Sequence, residues 1–444
     1  MAGVRDSERE QILSSFPFES GTLPVRYLGL PLLTKRMTTS DYSPLIERIR
    51  ERIGSWTAKH LSFAGRLQLI SSVIHSLTNF WMSAFRLPSA CTKEIDSLCS
   101  AFLWSGPELS SKKAKISWSE VCIPKEEGGL GLRSLKEVNK VSCLKLIWRL
   151  LSSNSLWVQW LRLYLMRKGS FWSIQDTSTL GSWMWKKILK YCNIASVFVK
   201  YAVGNGTSVS YWYDNWSPLG PMIEITGNRG CIDMGIGLQD TVANVLQTHR
   251  RGRHRAAHLI QMEDSIEELR VKGLVGTEDI VLWRGKGDIY QPSFSTKGTW
   301  EATRTPRARK DWYKGIWFSN ATPKYSFLAW LATHNRLSTG DQMLTWNAGM
   351  NTSCILCHEP VETRNHLFFD CQYSKIVWSS FTSKLLAANF STDWNVILRL
   401  LTDNTLDKVR LFLLRYSFQI VIYSIWRERN CRRHGDKHTP RSNS

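Results

Sequence analysis

A chain of 444 residues has room for two or three domains, each burying its own core. Hydrophobic residues at 43% and charged residues at 21% exclude wholesale disorder. The formal charge of +21 favours an acidic polymer as partner, because each phosphate neutralised by Lys or Arg releases a condensed counterion.

In chain order, the opening stretch "MAGVRDSERE" has no apolar core of the secretory kind, which leads us to expect a nuclear or cytoplasmic protein. The first 170 residues read as helical. Ser40 or Asp41 can cap a helix that carries Pro44 early and then Ile46, Ile49 and Ile53 on one face. Leu67, Ile70, Ile74, Leu77 and Trp81 step by threes and fours, marking a second buried stripe. A third helix is predicted over 92–104, ending before Gly106. A basic, glycine-punctuated loop follows, and "VNKVSCLKLIWRLL" resumes the helical period. Residues 1–170 hold 24 Lys and Arg against 14 Asp and Glu, about half of the net surplus.

From 171 to about 290, Trp, Gly and Ser interleave. The alternation in "TSVSYWYDNW" predicts a strand or hairpin after the turn at Gly204-Asn205-Gly206. The His and Arg cluster at 249–258 suits either a phosphate contact or a solvated helix end. Beyond it, "PKYSFLAWLATH" (323–334) predicts a helix. A second should follow Ser338, whose "STGD" has the form of a capping box, carrying Met343, Leu344 and Trp346. Another helix is expected around Ile376 and Trp378. The apolar stretch 411–426 contains Arg415 and Gln419 and is too short to span a bilayer, so it reads as a buried amphipathic helix. With no membrane anchor to support a lipid partner, the charge points to nucleic acid.

Seven of the ten cysteines lie without regular spacing and read as reduced core thiols. The other three fall in "CILCHEPVETRNHLFFDC". Its first five residues have the form of a c-type haem attachment site, but the whole, as C-x2-C-x8-H-x4-C, has the form of a zinc site. Two thiols two residues apart can be presented by one tight turn, and Cys354, Cys357, His366 and Cys371 together supply four soft or borderline donors. Such a closed centre is structural, because a hydrolytic site keeps a position open for water. His358, beside Cys357, could replace His366. Structural zinc ranks first, free thiols second and haem third.

"FLAWLATHNRLSTGDQMLTW" followed by "CILCHEPVETRNHLFFDCQYSKIVW" resembles the zinc-binding domain downstream of reverse transcriptase in plant LINE-type (non-LTR) retrotransposons. The resemblance implies zinc held by Cys354, Cys357, His366 and Cys371. Upstream, "RYLGLPL", "FLWSG", "KISWSEVCIPKEEGGLGLRSL" and "VGNGTSVSYWYDNW" are similar to the segments that join the polymerase core to that domain. The family's palm carries Tyr-x-Asp-Asp for two-metal phosphoryl transfer, and this sequence contains neither that motif nor any adjacent Asp pair.

The expected fold is mainly α with a small α+β middle segment. A helical thumb- or connection-like region (1–170) precedes a Trp- and Gly-rich mixed segment (171–293), the zinc-binding domain (294–378), and a C-terminal helix with a basic tail (379–444). The expected function is that of a non-enzymatic nucleic-acid-binding remnant that has lost its catalytic front, with RNA or DNA as partner. Candidate phosphate contacts are Lys112, Lys113, Lys115, Arg304, Arg307, Arg309 and Lys310. The rivals are an accessory part working with a separate reverse transcriptase core, and a protein-interaction scaffold whose Trp residues anchor a partner.

Overall fold

The computed structural model describes residues 5–16, 25–33, 35–56, 61–167, 169–175, 177, 180–345 and 349–435. Helices dominate, with one two-stranded and one three-stranded sheet among the described residues, so the chain is mainly α with a small α+β part. Trp346, residues 57–60 and the end of the basic tail lie outside the described residues. Two compact units are formed from interleaved segments. One comprises 1–44, 78–91 and 136–305, and the other 45–77, 92–135 and 306–444.

The first unit is built on a short antiparallel sheet. Its strands, in sheet order, are β3 (Val199–Ala202), β4 (Ile280–Arg284) and β5 (Tyr290–Gln291). The small ribbon of β1 (Arg26–Tyr27) and β2 (Leu30–Pro31) stands separately. Trp283 of β4 is buried among Trp148, Phe198 and Phe294, with Phe198 stacked at 5.4 Å, and its indole N–H donates to Thr299 Oγ1 at 2.9 Å. The helix Leu135–Ser152 and the helical turns 156–166 pack onto this core through Leu144, Ile147, Val158 and Leu161. A second core gathers Trp212, Met222, Met234, Val245, Met262 and Ile266.

The sequence placed a strand after Gly206, whereas the structure places it before Gly204. Residues 207–216 form turns with a single bridge, Ser210 to Thr241. Their backbone is taken up by carboxylates. Asp279 accepts the N–H groups of Gly204 and Gly206, both at 2.8 Å, and both the N–H and the hydroxyl of Ser208. Asp214 accepts Ser210 N–H at 2.7 Å and the Ser170 hydroxyl at 2.8 Å. Adjacent Tyr211 and Trp212 are both buried, which no half-exposed strand allows. Gly206 sits at φ +69° with Ala243 N 2.9 Å from where a Cβ would be, so the turn requires glycine.

The second unit centres on the helix Pro323–Thr333, which has Pro at its first turn and is buried continuously from Ser326 to Ala332. A helix apolar on every side must be surrounded. Phe327 stacks on Phe63 at 5.3 Å and meets Trp104, and Trp330 donates its indole N–H to Gly128 O at 2.7 Å. Gly128 has φ +100°, a left-handed turn that suits glycine within "EEGGLGL". The helix Lys408–His434 packs alongside, with Gln419 bridging Ser326 Oγ and Ile316 O, so its buried amide is satisfied.

Ile46, Ile49 and Ile53 are buried as expected, but their helix starts at Thr39. Asp41 caps it by accepting the N–H and hydroxyl of Thr38, rather than serving as the first residue itself. The stepping stripe at 67–81 buries Ile70, Ile74 and Trp81 and contains a π-turn at Ile70–Ile74. The third helix spans Ser89–Ser105.

Candidate metal centre

The zinc-type residues lie on two local devices. The first is a knuckle. Cys354 N–H donates to Glu359 O at 2.8 Å, and His358 N–H donates back to Cys354 O at 2.7 Å. The chain turns left-handed at His358, with φ +68°. The N–H groups of Leu356 and Cys357 are thereby aimed at the Cys354 sulfur.

The second device is a π-turn over His366–Asp370, closed by Cys371 N–H donating to His366 O at 2.7 Å. An i to i+5 bond brings residues five apart close together, and π-turns of this kind recur at functional positions. Leu367, Phe368 and Phe369 are fully buried and fix the turn, with Phe369 against Trp378 at 5.1 Å, Trp394 at 5.6 Å and Phe418 at 5.9 Å. Cys371 then caps the helix Gln372–Leu386, whose Tyr373 and Ser374 N–H groups face its sulfur.

The ligand atoms of Cys354, Cys357, His366 and Cys371 all lie within 4.8 Å of one another. Cys357 Sγ is 3.1 Å from His366 Nε2. His358 is exposed and outside this group, so the imidazole that converges with the sulfurs is that of His366. Cys354 and Cys371 are buried, and burial, helped by neighbouring sulfur charge, pushes the Cys354 thiol up to about 12 and raises that of Cys371. Backbone N–H groups aimed at both sulfurs favour negative charge there, against that burial. A divalent cation reconciles the two, because it stabilises thiolates outright. Three thiolates, one imidazole and Zn²⁺ leave one net negative charge, which the N–H groups offset. The donor set fits zinc, and four protein ligands complete its tetrahedral shell.

Glu362 lies in the eight-residue gap between Cys357 and His366, where nothing in the local sequence singles it out. It is fully buried, and its carboxylate accepts Arg429 Nη2 at 2.6 Å, Arg429 Nε at 3.1 Å and the N–H of Gly340 at 3.2 Å. Arg429 Nη2 also donates to Ser338 O at 3.0 Å. This pair ties the loop between the two metal-facing devices to the helix Lys408–His434. The same carboxylate caps the helix Gly340–Leu344, so the expected local capping box is replaced by a partner 22 residues on. The signal was present: Phe418, Ile422, Ile425 and Arg429 share one helical face, and an arginine on an apolar face needs a buried acid.

The seven candidate phosphate contacts are placed as follows. Lys113 pairs with Glu108, Arg307 with Glu120 at 2.5 Å, and Arg309 with Glu126 while also lying over the Tyr313 ring. Lys115 is half-buried and donates to Ser338 Oγ, burial lowering its pKa. Arg304 lies over the Trp300 ring, Lys310 donates its N–H to Glu126 O, and Lys112 is exposed. The 249–258 cluster joins the end of the helix Val242–Thr248 to the start of the helix Ala257–Lys272; its four arginines are exposed, Arg251 pairing with Asp264, while two of its histidines turn inward. His249 and His254 close on the buried Glu263 at 3.1 and 3.0 Å, with Gly252 N–H on the same oxygen.

No helix among the described residues is long and apolar enough to cross a membrane. Residues 294–378 match the family described as zinc-binding in reverse transcriptase. Along 365 residues the chain is 28% identical to a protein of Arabidopsis thaliana named "Putative ribonuclease H protein", covering 79% of this chain and 57% of that one. It therefore spans a little over half the length of that relative. An uncharacterized mitochondrial protein of the same plant is 29% identical over 154 residues, covering 33% of this chain and 99% of its own. The chain thus carries at residues 294–378 the zinc-binding domain of reverse transcriptases, consistent with the C-terminal region of a retroelement reverse transcriptase.

Proposed function

We propose that this chain is a non-catalytic, nucleic-acid-binding region of a plant LINE-type (non-LTR) retrotransposon reverse transcriptase, in which a structural zinc ion fixes the 351–371 segment. The observation that carries the reading is the convergence of three sulfurs and one imidazole inside the matched domain. The charge of +21 supports a polyanionic partner, and the plant relatives support the origin. These residues include no Tyr-x-Asp-Asp and no adjacent Asp pair, so any copying activity would need a palm supplied elsewhere.

The test is equilibrium binding of zinc-loaded protein to RNA, DNA and an RNA·DNA hybrid across a salt series. Affinity should fall steeply with salt, the slope reporting the phosphates neutralised. Absence of binding at about 50 mM salt would remove the proposal, since the electrostatic attraction is strongest there. A primer-extension assay with the chain alone should give no product. Extension would favour the reading as an enzyme instead.

A further inference from the structure

One element of the first unit has apolar side chains on its outside as well as its inside. Along the helical turns 156–166, Val158 and Leu161 point into the core. The opposite face leaves Leu156 84%, Leu163 68%, Tyr164 56%, Trp160 52% and Trp157 39% exposed. Trp160 and Tyr164 are i, i+4 neighbours, their rings side by side with centroids 5.2 Å apart and tilted by 34°. Isolated exposed apolar residues need no explanation, but a stripe along one short element marks a binding surface.

The electrostatic setting narrows the occupant. Between Glu137 and Asp176 the sequence holds no Asp or Glu, while it carries Lys140, Lys145, Arg149, Arg162, Arg167 and Lys168. Lys145 and Arg149 are exposed and pair with no carboxylate among the described residues, whereas Arg162 donates to Leu150 O and Leu151 O and, with Arg167, lines a cavity that also holds Asp214, Glu278 and Asp279. Exposed aromatic faces on a segment whose sequence charges are all positive suit an unpaired polynucleotide strand. Its bases stack on π surfaces whatever their identity, and its phosphates meet the cations. A second copy of this face would bring the same positive charges together, which disfavours self-pairing.

We propose that the outer face of residues 156–164, with Trp160 and Tyr164 as stacking surfaces, binds single-stranded nucleic acid. The proposal deepens the nucleic-acid-binding reading and rests on it. Duplexes should use this face little, because their bases are already stacked.

The experiment compares wild type with Trp160→Ala/Tyr164→Ala and with Trp160→Phe/Tyr164→Phe. Affinities for labelled oligo(dT) of about 20 nucleotides and for a duplex of equal length are read by anisotropy. The alanine variant should bind the single strand at least about tenfold more weakly, with duplex affinity nearly unchanged, and the phenylalanine variant should retain most binding. Unchanged zinc content and circular dichroism establish that the variants fold. If wild type binds oligo(dT) and the alanine variant binds it equally, the platform is wrong while the broader reading stands. If wild type binds no nucleic acid, both fall. If the alanine substitutions abolish self-association in sedimentation and leave oligo(dT) affinity unchanged, the face is a protein interface and the proposal is overturned.

Discussion

The two units solve the same problem, fixing irregular loops inside a folded body, by different chemistry. In the second unit, the 351–371 segment is organised by four metal-type donors and one buried ion pair, Glu362 with Arg429. In the first, loops are organised by single carboxylates that collect backbone N–H groups: Asp279 for 204–208, Asp214 for 210, Glu263 for 252. A metal concentrates the stabilisation in one bound ion, so its loss is catastrophic for the segment. Carboxylates distribute the stabilisation, and each one titrates.

The largest expected effect follows from removing the metal. Cys354→Ser and Cys371→Ser should lose about one zinc per chain, and hydrogen exchange should show the 351–371 backbone unprotected while 199–208 stays protected. Structural zinc commonly contributes about 10–16 kcal/mol of apparent binding energy to folding. Retained protection at 351–371 after chelation would end the contrast between the units.

Glu362→Ala comes next. It leaves the Arg429 guanidinium buried beside an empty acceptor site, and should destabilise the protein by about 3–5 kcal/mol in denaturant melts. Replacing both partners with apolar residues should cost less, since no uncompensated charge remains.

The carboxylates of the first unit sharpen the comparison through pH. Burial pushes Asp214 up to about 6, outweighing its hydrogen bonds, and nearby Asp279 adds to the rise. The folded state then holds a proton that the unfolded chain has released, so stability falls as pH rises from about 4 to 6. Asp279 has the opposite sign. Burial raises its pKa, but the N–H groups of Ser208, Gly206 and Gly204 outweigh that and hold it below the usual carboxylate range. Its stabilisation is complete above the unfolded value and is lost as pH falls through the lower folded one. Asp214→Asn should therefore flatten the decline between about pH 4 and 6, an effect of roughly 1–3 kcal/mol, and Asp279→Asn should flatten the acid limb. Unchanged stability–pH profiles in both variants would refute the carboxylate half of the comparison.

The smallest effect distinguishes the two histidines. His366→Ala should weaken zinc binding, whereas His358→Asn should keep it and shift stability by no more than about 0.5 kcal/mol, because asparagine tolerates the left-handed turn that His358 occupies. Zinc lost from the His358 variant and kept in the His366 variant would reverse the assignment.

Much of this was readable before any coordinates. The metal-type donors were legible because C-x2-C and H-x4-C are local spacings, each spanned by one turn. The helix at 323–333 was legible from Pro323 at its start and the apolar run behind it, and the helix at 408–434 was legible in its apolar stretch 411–426. The strand predicted at 207–216 failed because alternation along the sequence records neither Asp279, more than seventy residues away, nor Asp214, whose carboxylate turns back on Ser210. Glu362 looked like any loop glutamate, and only the register of Arg429 on its helix hinted at a partner.

The sequence by itself determined the helical periodicity, the basic surplus and the three sulfur donors with their two candidate imidazoles, since these depend on neighbours along the chain or on composition alone. Tertiary structure alone decided that His366 rather than His358 meets the sulfurs and that Glu362 receives Arg429. It also decided that Trp160 and Tyr164 face outward while Trp212 and Trp283 are enclosed. Those outcomes depend on which distant groups arrive in the same volume, and a buried charge or ring takes its role from what surrounds it rather than from what precedes it.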